Sequence, residues 1–253
     1  MAPLTPQQFK RYSRQIMLME FGLEKQQQLA DSHALIFGLG GLGSPVSIYL
    51  AAAGVGTLTL VDFDTVDESN LQRQIVHREE SVGQKKVVSA KAELQRLNRW
   101  TRVHTVDHAP DETELAELVH QADVVVDCTD NFPARFAINA ACARSQTPLV
   151  SAAAIRWEGQ LSVFDFRDPG CACYQCLYKE ASMAGMTCAE SGIMSPVVGM
   201  MGSMQALETV KLLSGLPTLT NKLLLVDGLT LSFRTLNLPK DPACPVCASH
   251  SPA

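Results

Sequence analysis

The chain has 253 residues, of which 46% are hydrophobic and 19% charged, a composition typical of globular α/β proteins and unlike that of disordered chains. The formal net charge is −5 at pH 7 and the pI is near 5.7, so the overall electrostatic field opposes binding to nucleic acid or to anionic lipid. The sequence contains neither a secretory signal nor an apolar run of roughly 18–20 residues, so we expect a cytoplasmic protein without a membrane-spanning helix.

The first half of the chain alternates short apolar runs with helical patterns, which predicts parallel strands joined by right-handed helical crossovers. After a helical arm over residues 1–30, the expected strands are Ala34–Gly38, Thr57–Asp62, Arg102–Val106, Val124–Cys128 and Leu149–Ser151. The expected helices lie near Ser44–Ala53, Val82–Leu97, Thr113–His120 and Pro133–Ser145.

The second half begins after about Ala154 with a different pattern. Gly159–Phe166 alternates as a half-buried strand, and an irregular stretch follows as far as Ser195. Residues 197–213 read as one apolar helix, and two short runs read as an antiparallel strand pair, Lys222–Val226 and Ser232–Leu236. The prediction is one α/β domain with a Rossmann-like mixed sheet, parallel first and antiparallel later, with helices on both faces.

A glycine-rich loop, Gly38 to Gly43, follows the first strand and opens the first crossover helix. Glycines allow a tight turn and the close approach of a phosphate or ribose, and the helix N-terminus favours an anion. Asp62, at the end of the next strand, is placed to accept hydrogen bonds from ribose hydroxyls. This combination predicts a nucleotide site, and the alternative is a glycine turn needed only for helix–strand packing. NAD and ATP are both open at this point.

Cationic residues follow Asp62 along the chain, namely Arg73 and the pair Lys85 and Lys86. A triphosphate concentrates its charge at one end and needs fixed cations, whereas a dinucleotide is served mainly by backbone amides. Arg73 and Lys86 lie on a segment that returns toward the carboxyl ends of the strands, where ligands bind in such sheets. These residues favour ATP, while Lys85 is expected to belong to a solvated helix start.

Several sequence blocks occur in a fixed order: RYSRQ, GLGGLGS, LVDFDTVDESNLQRQ, GQKK, DVVVDCTDN and a closing Cys-Pro-Val-Cys. In this respect nearly the whole chain resembles the ThiF/MoeB/HesA adenylyltransferases, bacterial relatives of the ubiquitin-activating enzymes. The resemblance implies ATP-dependent adenylation of the C-terminal glycine carboxylate of a small ubiquitin-like sulfur-carrier protein ending in Gly-Gly. The sequence lacks a Walker A lysine motif, so a P-loop is not expected.

The resemblance also implies which residues bind the nucleotide: Gly41, Asp62, Ser69, Asn70, Arg73, Lys86, Asp130 and Asn131. Within this set, Gly41 and Asp62 would hold the adenosine half. Asp130 would position Mg²⁺, although the same carboxylate could cap the helix that follows it. Arg14 would reach the triphosphate bound by the other subunit, which makes a homodimer part of the active site.

The reaction brings a carboxylate toward a polyanion, so its barrier is largely electrostatic. The implied catalytic residues are those that neutralise or organise this charge: Arg14, Arg73, Lys86 and Asp130. For Arg14, an ordinary surface position on an amphipathic N-terminal helix is the alternative. His77 is not needed as a general base, because a carboxylate substrate is already ionised at neutral pH, and we expect it at the surface or in a cap.

The eight cysteines are not expected to form disulfides in a reducing compartment. Two C-x-x-C units offer the four thiolates of a closed structural Zn²⁺ site, with a redox dithiol as the alternative. The predicted zinc ligands are Cys173, Cys176, Cys244 and Cys247. Cys171 does not match this spacing, and Cys128 and Cys142 lie in apolar patterns typical of core residues.

Cys188 precedes the apolar helix. The resemblance places it where some relatives carry a thiol that joins the carrier covalently, while other relatives keep the cysteine without needing it. Both alternatives stay open. The expected domain organisation is a helical arm (1–30), a nucleotide-binding half (31–154) and a half that binds the carrier and zinc (155–253).

The favoured function is adenylation of a MoaD-like carrier in molybdopterin biosynthesis, with the ThiS-like carrier of the thiazole pathway as the alternative. Since no rhodanese-like domain follows the second C-x-x-C, the sulfur is expected to come from a separate donor protein. An NAD-dependent oxidoreductase would leave Arg14, Arg73 and Lys86 without a joint purpose. A non-catalytic scaffold is the third hypothesis, and the intact set of charged residues opposes it.

Overall fold

The fold is described from a computed structural model, which covers residues 3–179 and 192–248. Its strands are β1 His33–Phe37, β2 Thr57–Val61, β3 Arg102–Val106, β4 Val124–Asp127, β5 Leu149–Ile155, β6 Glu158–Phe164, β7 Lys222–Asp227 and β8 Ser232–Asn237. They form a single eight-stranded sheet in the order β3-β2-β1-β4-β5-β6-β7-β8. Pairs among β1 to β5 are parallel and pairs from β5 to β8 are antiparallel, which confirms the predicted mixed sheet.

The helices in the described ranges are α1 Pro6–Ile16, α2 Gly22–Asp31, α3 Gly43–Ala53, α4 Lys86–Leu97, α5 Glu112–His120, α6 Phe132–Ser145, α7 Tyr174–Leu177 and α8 Ser195–Leu213. Residues of α3, α4 and α8 pack in one hydrophobic core, and residues of α5, α6 and α7 pack in another. Because the central strands are buried on both faces, these cores cover opposite sides of the sheet, as predicted.

Two element boundaries were predicted wrongly. Helix α4 begins at Lys86 and not at Val82, because Gly83 turns the chain with a φ of 84° and Thr65 bridges Lys85. Strand β5 continues past Ser151 to Ile155 and forms a hairpin with β6. The alanines of residues 152–154 carry little strand propensity, and pairing with β6 determines their conformation.

The position of the functional site follows from the strand order. Strand β1 lies between β2 and β4, so the chain crosses to opposite sides of β1 at this point. Such a switch point opens a crevice at the carboxyl ends of the strands. Gly38 follows β1, Asp62 follows β2 and Asp130 follows β4, so all three reach this crevice. In the described ranges, no helix combines the length and apolar character needed to cross a membrane.

Candidate active site and metal centre

A cavity of about 980 Å³ opens at the crevice. One end is lined by predicted nucleotide-binding residues, namely Gly41, Asp62, Arg73, Lys86, Asp130 and Asn131. The other end is lined by residues of the antiparallel strands, including Gly159, Gln160 and Arg234. The structure therefore joins the two halves of the chain in one continuous site. Arg14, Ser69 and Asn70 do not line its wall.

The glycine loop requires glycine at two positions for steric reasons. Gly38 has a φ of 88°, and a Cβ on it would lie 2.8 Å from the carbonyl oxygen of Cys128. A Cβ on Gly43 would lie 1.9 Å from the carbonyl oxygen of Gly38. The loop consequently packs against the end of β4, and the N-terminus of α3 lies beside the cavity, where it favours an anion.

Asp62 is buried at the cavity wall and already accepts two backbone hydrogen bonds. The Leu39 N–H donates to Oδ2 at 2.7 Å, and the Asp64 N–H donates to Oδ1 at 2.9 Å. These bonds fix the carboxylate between the glycine loop and the segment after β2. Each oxygen keeps a second lone pair, so the group can also accept hydrogen bonds from ribose hydroxyls.

Lys86 and Arg73 bring two cations to the same wall. The Lys86 side chain is 7% exposed, and its Nζ donates to Asp64 Oδ2 at 2.8 Å. The Asp64 carboxylate is half-exposed, so Lys86 is a buried cation whose only anionic partner among the described residues faces solvent. The Arg73 Nη1 donates to the Ser69 carbonyl at 3.2 Å and forms no ion pair within those ranges. Both cations are therefore available to an anionic ligand.

Ser69 and Asn70 support the site through their backbones. They lie in the 3₁₀ turn Glu68–Asn70, which the Asp67 carboxylate caps by accepting from the Ser69 N–H at 2.9 Å. The Asn70 carbonyl accepts from the N–H groups of Arg73 and Gln74. This turn thereby sets the direction in which Arg73 leaves the backbone.

Asp130 and Asn131 follow β4, and their local roles differ. The side chain of Asn131, not Asp130, caps α6, because its Oδ1 accepts from the Ala134 N–H at 3.0 Å. The alternative prediction of Asp130 as the helix cap is thus wrong. Asp130 is exposed at the cavity, and its carboxylate has no hydrogen bond or ion pair within residues 3–179 and 192–248. It is free to hold a cation or a ligand.

The four predicted zinc ligands meet at a single point. The Sγ atoms of Cys173, Cys176, Cys244 and Cys247 all lie within 4.8 Å of one another. The Cys173–Cys244 and Cys176–Cys247 Sγ pairs are each 3.5 Å apart, and Cys173–Cys176 is 3.9 Å. A tetrahedral zinc ion with Zn–S bonds of about 2.3 Å places its ligands roughly 3.8 Å apart, so the donor set fits zinc.

The surroundings of the cluster are those of a closed structural site. Three of the four cysteines are buried, and the Asp241 N–H donates to the Cys176 Sγ at 3.4 Å. The contact between the two sulfurs lowers the pKa of Cys176 and raises that of Cys173, as expected for neighbouring thiols that share a proton. Cys171 is buried outside the cluster, and Cys128 and Cys142 are core residues, as predicted. Cys188 lies outside the described residues.

Comparison with known proteins assigns the chain to a family. The model of the ThiF family matches residues 12–246, which is most of the chain. The chain belongs to the ThiF family. A relative from Escherichia coli K12, a molybdopterin-synthase adenylyltransferase, is 47% identical over 98% of this chain and 99% of its own length. The sulfur carrier protein ThiS adenylyltransferase of the same organism is 44% identical over 96% of each chain.

A longer relative and a solved structure are also similar to this chain. The MOCS3 adenylyltransferase and sulfurtransferase of Bos taurus is 43% identical over 98% of this chain, which spans 55% of that protein. The crystal structure of E. coli MccB with ATP superposes with a TM-score of 0.82 at 26% identity, covering 94% of this chain and 73% of MccB.

His77 lies behind the glycine loop of this ThiF-family site, and its location was predicted wrongly. It is 4% exposed rather than on the surface. Its Nε2 lies 3.2 Å from the Leu39 carbonyl, to which it can only donate, and its Nδ1 lies 3.0 Å from Ser89 Oγ. Burial lowers the pKa of the imidazole, so the neutral ring joins the glycine loop to α4, the helix that begins with Lys86. A histidine in a loop gives no sequence signal for such burial.

Arg135 is a supporting residue of the ThiF-family site that sequence reasoning did not identify. Its guanidinium is buried at the cavity wall and donates to the carbonyls of Thr129 and Ala152. Its Nη1 lies 3.7 Å from Asp127 Oδ2. These contacts hold the loop that carries Asp130. An arginine within a helical pattern normally indicates a solvated face, so only the tertiary structure shows this role.

Proposed function

We propose that this chain uses ATP to adenylate the C-terminal glycine carboxylate of a small ubiquitin-like sulfur-carrier protein. A carboxylate oxygen attacks the α-phosphorus, the bond between the α-phosphorus and the α–β bridging oxygen breaks, and pyrophosphate leaves as the acyl-adenylate forms. The observation that carries the proposal is the continuous cavity, which has a cationic nucleotide end and a second end among the antiparallel strands. The names of the relatives indicate molybdopterin biosynthesis first, with the thiazole carrier as the alternative.

In this proposal the nucleotide occupies the end with the glycine loop. Gly41 and Asp62 hold the adenosine half, and Arg73 and Lys86 bind the phosphates, with Ser69 and Asn70 positioning Arg73. The buried ammonium of Lys86 stabilises the charge that develops on the departing pyrophosphate more strongly than an exposed cation would. On ATP binding, Lys86 exchanges its half-exposed Asp64 partner for a phosphate group.

Asp130 is proposed to hold Mg²⁺, with Asn131 beside it at the start of α6. The structural support is an unpaired carboxylate at the cavity wall, an oxygen donor of the type that Mg²⁺ prefers. The metal, when bound, would neutralise charge on the phosphates. Zn²⁺ in the four-cysteine cluster would be structural and would tie the turn that contains Cys244 and Cys247 to α7.

The carrier tail is proposed to enter from the side of β8. This strand is exposed over its whole length and lies at the edge of the sheet, and Ser232 and Arg234 line the cavity. Exposed apolar side chains surround this entrance, notably Leu229, Leu231 and Phe233. An unpaired edge beside an apolar patch is a surface to which a small protein can dock. Residues 155–253 would thus form the carrier-binding and zinc-containing half of a single domain.

Sulfur is proposed to reach the adenylated carrier from a separate donor protein.

An ATP–pyrophosphate exchange assay tests the proposed function. With purified candidate carriers ending in Gly-Gly, labelled pyrophosphate is expected to enter ATP only when the chain, Mg²⁺ and the correct carrier are all present. A carrier lacking its last glycine serves as the matched control and should support no exchange. Absence of exchange with every Gly-Gly carrier, together with thermal stabilisation by NAD but not by ATP–Mg²⁺, would replace the proposal with an oxidoreductase.

A homodimer with Arg14 completing the partner's site is part of the proposal. Arg14 lies exposed in the last turn of α1, away from the cavity of its own chain. Exposed apolar side chains lie close to it in sequence, with Met17 71% and Met19 95% exposed. A patch of this kind at a helix end is typical of a surface covered by another subunit.

Arg14→Ala and Lys86→Met proteins are each expected to be inactive alone but to complement each other when coexpressed. Half of randomly formed dimers are mixed, and one of the two sites in each mixed dimer is complete, so about one quarter of wild-type exchange activity should return. Coexpression of Arg73→Ala with Lys86→Met is the control, because both changes fall in the same subunit's site and restore none. Mixed dimers isolated with two affinity tags but lacking activity would argue against Arg14 acting across subunits.

A further inference from the structure

Gln74 lines the cavity beside Arg73 and has no part in the proposed reaction as described so far. Within the described ranges, three buried side-chain atoms lack any hydrogen-bond partner: Gln74 Oε1, Asn139 Nδ2 and Ser214 Oγ. Of these three side chains, only Gln74 lines the cavity. Buried polar groups in native proteins are nearly always paired. Neither end of this amide has a partner among the described residues: Oε1 is buried without a donor, and Nε2, which is not fully buried, forms no hydrogen bond. Nε2 is the atom of this side chain that a ligand in the cavity can reach.

The backbone holds Gln74 firmly in place. Its N–H donates to the Asn70 carbonyl at 3.0 Å, and its carbonyl accepts from the His77 N–H at 3.0 Å. The residue is 4% exposed and follows Arg73 directly, so both side chains leave the same turn. The amide is therefore held by a rigid turn. Binding a ligand to it costs little conformational entropy, because the residue is already ordered.

The side chain lies against the glycine loop. A Cβ built on Gly40 would be 3.7 Å from the Gln74 Nε2, and Gly40 itself lines the cavity. No hydrogen bond joins Nε2 to any residue of the described ranges. Nε2 therefore lies beside the glycine loop, close to the N-terminus of α3, which favours an anion, and its two N–H groups have no acceptor among the described residues.

We propose that Gln74 binds the nucleotide directly, by donating an Nε2–H hydrogen bond to the phosphate oxygen nearest the glycine loop. The inference rests on the proposed function, because it requires a nucleotide at this end of the cavity. Gln74 adds a neutral, directional donor to the cations Arg73 and Lys86. Two cations neutralise charge but fix orientation loosely, whereas a planar amide on a rigid turn determines where the phosphate lies.

Calorimetric titration of the full-length chain with ATP–Mg²⁺ and, separately, with adenosine tests this assignment. Gln74→Leu removes both donors at similar volume and is expected to weaken ATP binding about 10-fold while changing adenosine binding less than about twofold. Gln74→Glu keeps the shape but places an acceptor and a negative charge beside the phosphate, so the loss should exceed that of the leucine variant. Gln84→Glu, the same exchange on an exposed side chain two residues before Lys86, should leave ATP binding unchanged.

Three results would overturn the role of Gln74. These are unchanged ATP binding by Gln74→Leu, wild-type ATP binding by Gln74→Glu, or an equal loss for adenosine and ATP, which would mean that Gln74 only supports the loop. If the Gln74→Leu protein does not fold, ATP binding by the isosteric Gln74→Glu protein is the test. A thermal unfolding curve of that variant shows whether it is folded. Failure of the wild-type chain to bind ATP would instead overturn the proposed function, so the two failures are distinguishable.

Discussion

Lys86→Met is expected to lower the rate of ATP–pyrophosphate exchange by about 10³-fold, which corresponds to about 4 kcal/mol of transition-state stabilisation. The Lys86 ammonium is buried at the cavity wall, where its charge is poorly screened by water, and methionine keeps most of the side-chain volume. The folded state should be little affected, because the Asp64 carboxylate left behind is half-exposed and can be solvated. Exchange kinetics and a thermal unfolding curve on the same preparation measure the two effects.

The neighbouring residue supplies the control for this experiment. Lys85 is partly exposed, and its Nζ donates to the Phe63 carbonyl at 2.7 Å instead of facing the cavity. Lys85→Met makes the same chemical change one residue away and should alter exchange less than about threefold. Comparable losses of exchange activity in the two variants would show that the positive charge of this segment acts non-specifically. That result would contradict direct binding of a phosphate by Lys86.

Cys244→Ser should remove bound zinc and destabilise the fold. Serine is a poor zinc ligand, and the free energy of binding a structural zinc ion is also free energy of folding. The cluster tethers the turn from Asp241 to Cys247 to α7, so its loss should lower the free energy of unfolding by on the order of 3 kcal/mol. In a chain of this size that corresponds to a Tm lower by roughly 6–12 °C. Metal analysis and differential scanning calorimetry give the two readouts.

Cys171→Ser is the matched control for the zinc experiment. Cys171 is as buried as the ligands and lies two residues before Cys173, but it is not part of the cluster. This variant should keep one zinc per chain and lose less stability than Cys244→Ser. Zinc retained at full stoichiometry by Cys244→Ser would rule out the four-cysteine site.

Much of the site is visible in the sequence because each feature is local. The loop from Gly38 to Gly43 must be glycine-rich, since its two ends approach within van der Waals distance of backbone atoms. The C-x-x-C spacing similarly presents two thiolates to one ion without help from the rest of the fold. The alternation of strands and helices predicts the parallel strands around β1. Asp62 and Asp130 follow two of these strands, so their position at the carboxyl edge of the sheet is predicted as well.

Other parts depend on contacts between residues far apart in sequence. The alternation of helices and strands, the glycine loop, the cationic segment and the paired cysteines are properties of the sequence alone, because local propensity and spacing determine them. The burial of His77 and of Arg135, the unpaired amide of Gln74, and the joining of both halves in one cavity were decided only by tertiary structure. In each case the deciding partner is a backbone group or a strand from another segment, and spacing along a chain contains no information about such neighbours.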